Sequence, residues 1–113
     1  MSFFDSEVVR AEMTEISELQ EDVYRNVFKF PTMNNEEKLF HVSMLERLIE
    51  KQKILYTRLS LSDDLEAIEM KEKIMESATM MGLPPGSDMS TVFNNMSKML
   101  EVMKQQIDNN SLD

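Results

Sequence analysis

Along the first thirty residues Val9, Met13, Ile16, Gln20, Val23 and Val27 recur at alternating steps of four and three. Those steps keep all six on one narrow side of an α-helix, with Gln20 the only polar member. Glu12, Glu15, Glu18 and Asp22 fall on the other side and are expected to lie in water. The pattern predicts a helix over residues 5–28. Pro31 and the following "TMNN" end it, because proline disfavours helical geometry in the residue before it.

A second helix is expected over 35–60. Asn34 is placed to cap it, with Glu37 three positions on to complete a capping box. Val42, Met44, Leu45, Leu48, Ile49, Leu55, Tyr56 and Leu59 share one wide apolar arc, and Glu46, Arg47, Glu50, Lys53 and Arg58 lie opposite. This is the strongest core-facing element. His41 and Gln52 project into the arc. Phe40, Ile54 and Leu61 fall on the charged side with Arg47 among them, a minor apolar line that another helix or another chain must cover.

A third helix is predicted over 63–81, capped by Asp63 with Glu66. Its softer face is made of Ala67, Ile68, Met70, Ile74, Met75, Ala78 and Met81. Gly82 supplies a left-handed stop, and Pro84 and Pro85 block continuation. Ser87 or Asp88 opens a fourth helix over 88–108, striped by Met89, Val92, Phe93, Met96, Met99, Leu100, Met103 and Ile107; residues 109–113 are expected to fray.

At the start, "MSFFDSEVV" admits two caps. With Asp5 as N-cap, Phe4 and Val9 hold the positions of a hydrophobic staple; with Ser2 as cap, Asp5 completes a capping box one turn earlier. Phe3 is used by neither. It either folds onto its own bundle or reaches into a neighbour.

These elements imply an all-α fold: one domain, 1–113, of about four amphipathic helices. Two antiparallel hairpins forming a small bundle is the simplest assembly, and a long first hairpin with shorter elements leaning on it is the alternative. Only two glycines and three prolines interrupt the chain, which suits long helices. Twenty-one acidic against 12 basic side chains leave a formal charge of −9, so the averaged field repels phosphate backbones and anionic lipid heads. Direct binding of nucleic acid or membrane is therefore disfavoured; acidity of this size most often serves solubility alone, and a basic protein partner is the sharper, less favoured reading. The absence of cysteine removes disulfides, thiolate nucleophiles and cysteine-based metal sites, and suits a reducing cytoplasm. No segment approaches the ~20 apolar residues that cross a bilayer.

Candidate chemistry is sparse. His41 is the only histidine, with Glu37 one turn before it; that pair can touch one metal or one proton, but a di-iron bundle needs two Glu-x-x-His units. The acids of the first helix converge poorly for a hard cation, which is normally wrapped by loop oxygens. Phosphate loops, zinc signatures and nucleophile–base pairs are all missing from the sequence, so no enzyme and no cofactor site is expected. Twelve methionines are present, eight of them from Met70 to Met103, and such side chains fill irregular cores or build adaptable binding surfaces. Gln20 and Gln52 either set register in apolar seams or sit at their edges. Protein contact is left as the function to look for, at Phe3, Phe40, Arg47, Ile54 and Leu61 and at Met89, Met96, Met99 and Met103.

Three stretches, "MSFFDSEVV", "MLERLIEKQKILYTRLSLSDD" and "MGLPPGSDMSTVFNNMSKMLEVMK", occur in that order. Together they resemble a family of small uncharacterised proteins of cyanobacteria and of the phages that infect them, with "MSFFDSE" and "LSDD" the most specific parts. The resemblance implies a cyanobacterial cell and carries no catalytic or binding residue across. The expected function is that of a non-enzymatic, self-associating helical regulator or adaptor. Two alternatives stand beside it: a phage accessory factor docking on host RNA polymerase or another host machine, and a metal-dependent enzyme centred on Glu37 and His41.

Overall fold

Cap chemistry sets the helix boundaries. In the computed structural model, which describes residues 2–80, 82 and 88–111, the helices are α1 (Glu7–Val27), α2 (Asn35–Leu61), α3 (Leu65–Met80) and α4 (Met89–Ser111). Asn34 and Glu37 form the expected capping box of α2, the Glu37 amide donating to Asn34 Oδ1 at 2.8 Å. Gly82 takes a φ of 103° beyond the end of α3, a geometry that glycine adopts without a Cβ penalty. Met81, Pro84, Pro85 and Ser87 lie outside the described residues.

Three boundaries differ from expectation. Of the two N-terminal caps the Ser2–Asp5 box is the one that forms, and Asp5 does not cap α1: its carboxylate turns back to accept from the Ser2 amide at 3.1 Å, while Ser2 Oγ accepts from the Phe4 amide at 3.2 Å. This box closes a short 3-10 turn, Phe3–Asp5, and Ser6 becomes the cap of α1, accepting from the Val9 amide at 3.4 Å. The staple positions are consequently Asp5 and Arg10, joined by an ion pair at 3.5 Å in place of an apolar contact. At α3 the cap is Asp64, not Asp63: Ser62 Oγ accepts from the Asp64 amide at 3.1 Å and brings Asp64 Oδ1 to the Glu66 amide at 2.9 Å. Finally, α4 continues through Ser111 where fraying was expected, with Ile107 buried against the core near its end.

The helices are arranged around α2. α1 and α4 each run antiparallel to it on different sides, as cross-helix partners show: Glu12 with Arg58 and Glu15 with Lys51 on one side, Glu46 with Lys104 and Lys53 with Asn94 on the other. α3 packs on the C-terminal half of α2, with the Tyr56 hydroxyl 3.7 Å from Met75 Sδ. Among the described residues, α3 and α4 find their main contacts on α2 rather than on each other. The all-α bundle is thus an α1–α2 hairpin with the later helices leaning on its second arm. Its extents are 54 × 32 × 20 Å and its radius of gyration is 16.3 Å, against about 13 Å for a rounded chain of this length.

Two cores follow from this plan. Ile16 and Val23 of α1 meet Leu48; Phe93, Leu100 and Ile107 of α4 meet Val42 and Ile49, and Leu45 touches both clusters. Each set steps by seven residues, the spacing that keeps one side of a helix on a partner crossing at a shallow angle.

Candidate interaction surface

α1 and α4 flank α2 along its length and α3 joins them only on its C-terminal half, which leaves part of α2 uncovered. At 3.6 residues per turn, the residues of α2 that meet α1 and those that meet α4 are centred roughly 130° apart. Phe40, Arg47, Ile54 and Leu61 lie outside both seams, on the side nearer α1: Phe40 lines a cleft with Asn26, Arg47 one with Glu15, Glu18 and Asp22, and Leu61 one with Phe3 and Val9. Phe40 is 68 % exposed, Ile54 41 % and Leu61 80 %, and Arg47 forms no ion pair among the described residues. The expected minor line is therefore an open row along the longest helix of the chain.

The other candidate residues do not join it. Met89 is buried in the α2–α4 core, where Met96 and Met103 also pack half-buried; Met99 alone of the four is widely exposed, at 66 %. The four methionines therefore form no shared open groove: three are tied up by α2, and Met99 points off the stripe. Gln20 and Gln52 are half-buried, as expected of seam edges.

Phe3 folds back on its own chain. Its ring stacks edge-on against Phe4 with centroids 5.2 Å apart, and its amide donates to Asp64 Oδ2 at 2.5 Å. Ser2 Oγ bonds Glu66 as well. Asp64 thus serves two donors with its two oxygens, the first turn of α3 and the N-terminal turn. The N-terminal turn from Ser2 to Asp5 and the cap from Ser62 to Glu66 are two halves of one joint. The periodicity of neither segment signals this contact, since it involves cap groups lying outside the apolar stripes.

The expectation that the α1 acids lie in water is corrected for Glu12, while Glu15 stays exposed as it pairs across the seam. Glu12 pairs with Arg58 at 3.0 Å, leaving Oε2 buried without a partner, and Glu15 pairs with Lys51. Glu46 pairs with Lys104 at 3.0 Å, and Lys53 reaches Asn94 at the same distance. Long charged side chains set beside an apolar stripe extend along it to the neighbouring helix.

The hydrogen bond and charge of Lys51 hold the Glu15 carboxyl below its ordinary pKa, and Glu46 raises that of Lys104. A lowered carboxylate pKa stabilises the fold above the unfolded value, and this contribution is lost as pH falls through the folded one. The raised lysine is the reverse: its contribution is complete at neutral pH and lost as pH rises past the folded value. Lys51→Met is accordingly expected to lose less melting temperature than the native chain between about pH 5 and pH 3. Parallel thermal melts across that range check this; equal losses would refute it.

His41 is 4 % exposed, its ring tilted on Phe30 at 5.6 Å, with Lys38 Nζ 5.5 Å from the Phe30 centroid. It lines a cleft with Asn26, Met33, Glu37, Phe40 and Met44. Glu37 Oε1 accepts from the Asn34 amide at 3.4 Å, so its carboxylate is engaged at the helix cap. Among the described residues no three His, Cys, Asp or Glu side chains converge as metal ligands, and no helix is long and apolar enough to cross a membrane.

Comparison with curated proteins and with solved structures finds no match to either. A family described as a domain of unknown function, DUF1825, matches residues 1–107. That span takes in the N-terminal turn, the Asp64 joint, the open row of α2 and nearly all of α4, and the chain belongs to this family.

Proposed function

We propose that the protein is a non-enzymatic helical interaction module, a regulator or adaptor that works by presenting one face of α2 to another protein. The observation that carries this reading is the row Phe40, Ile54 and Leu61, with Arg47 among them: large apolar groups exposed in a line along α2, the longest described helix. Among the described residues no third His, Cys, Asp or Glu joins Glu37 and His41 in a group that could hold a metal, although Glu36 lines the same cleft, and one Glu37 oxygen is engaged at the helix cap. The resemblance of the sequence to cyanobacterial and phage proteins suggests a cyanobacterial cell as the setting. A second reading, an accessory factor docking on a host machine such as RNA polymerase, draws on the charge of −9, which favours a basic target surface.

The test is comparative capture from cyanobacterial extract with the native chain and with the double variant Ile54→Asp, Leu61→Asp. Both positions are exposed, so the variant is expected to keep its helical signal and melting behaviour. Proteins held through the row, further copies of the chain included, are expected to fall at least tenfold in the variant. An unchanged set of retained proteins would overturn the proposal.

A further inference from the structure

Resting on the reading of the α2 row as a contact face, we propose that its occupant is a second copy of this chain, packed antiparallel about a twofold axis between Glu50 and Lys51. The row repeats every seven residues, at 40, 47, 54 and 61, and is symmetric about that point. Reversing one copy sets Phe40 against the partner's Leu61 and Arg47 against the partner's Ile54, twice each. A shift of one repeat either way leaves Phe40 or Leu61 without a counterpart.

Charge selects the same arrangement. Arg47 is the only charged member of the row, and Glu50 is exposed beside it; neither forms an ion pair among the described residues, Arg47 facing Glu15, Glu18 and Asp22 of α1 only across an open cleft. In the antiparallel register the Arg47 stem lies over the partner's Ile54, and its guanidinium reaches the partner's Glu50, one turn away. Two such pairs form, related by the axis. A parallel, in-register pair would instead stack Arg47 on its own copy and Glu50 on its own copy, which is repulsive at both levels. Isologous pairing also closes, so the row is consumed in a dimer and no filament grows.

From Phe40 to Leu61 the row is about 32 Å long. A single helix pair of that length buries less than the ~1,200 Å² of the smallest standard interfaces, so the dimer is micromolar or weaker. Covalent trapping reads such a complex directly, and the native chain has no cysteine to interfere.

The test uses Ser43→Cys and Thr57→Cys, both exposed on α2. In the antiparallel dimer position 43 of each copy lies within about 1.5 Å of the level of position 57 of the other and on the same side of the pair, whereas the two copies of position 43 are about 22 Å apart. Mixing the two variants under mild oxidation is expected to give the mixed covalent dimer, identified by mass, at least tenfold above the Ser43→Cys self-dimer. Arg47→Glu is expected to lower that yield about tenfold, and adding Glu50→Arg to restore it. Abundant self-dimer of Ser43→Cys, or failure of the double reversal to restore the yield, would overturn the register. No cross-link at millimolar concentration, with capture through the row intact, would overturn the occupant and leave the interaction reading standing.

Discussion

Phe93→Ala is expected to lose about 3–5 kcal/mol of unfolding free energy, a large share of the roughly 5–15 kcal/mol available to a domain of this size. Phe93 is buried between α2 and α4, and its ring lies 6.0 Å from that of Tyr56. It is the only aromatic residue among the buried members of that cluster, so its removal leaves a void that the neighbouring Val42, Ile49 and Met89 are too short to fill. α4 is held almost wholly through this seam, since its main packing is on α2. Urea denaturation followed by circular dichroism measures the loss. Met99→Ala, on the same helix but exposed, is the control and is expected to shift stability by no more than about 0.5 kcal/mol. Comparable losses in the two variants would contradict the assignment of the α2–α4 core.

Asp64→Ala is expected to cost about 2–3 kcal/mol, while Asp63→Ala changes stability by less than about 0.5 kcal/mol. The two residues are adjacent and chemically identical, so composition and propensity do not separate them. Asp64 accepts from Glu66 at 2.9 Å and from Phe3 at 2.5 Å; Asp63 is exposed. Losing the first bond uncaps α3, and losing the second leaves the half-buried Phe3 amide unpaired and releases the N-terminal turn from α3. Amide hydrogen exchange distinguishes the two effects, with faster exchange expected at Phe3 and Phe4 as well as in the first turn of α3. Equal stability of the two variants, or unchanged exchange at Phe3, would refute the joint.

Four helices, their approximate limits and the Asn34–Glu37 cap are legible along the chain because each is local. A 3.6-residue period is written into every turn, and a cap needs only groups three residues apart. The same locality explains the misplacements by one position: Asp5 and Asp63 both satisfy a capping pattern, but neighbouring hydroxyls, Ser2 and Ser62, complete competing turns. The row Phe40, Arg47, Ile54 and Leu61 is legible for a different reason. A helix with a wide apolar arc has a definite opposite side, and large apolar residues there are conspicuous.

What pattern alone leaves undecided is which surface arrives at each side. A helical wheel places Glu12, Glu15, Glu46 and Lys53 beside the stripes, but their length lets them either remain in water or close a seam, and only the approach of a second helix chooses. Met89 and Met99 are equivalent members of a methionine stripe until α2 buries one and leaves the other exposed. The Ser2–Glu66 and Phe3–Asp64 contacts join segments more than sixty residues apart through polar groups that carry no periodicity. By itself the sequence determines helices, caps and the sides available for burial, since these depend on short-range sterics and hydrogen bonding. The partners of those sides, and the N-terminal joint, come from the tertiary structure, because long-range packing is settled by the mutual fit of whole faces.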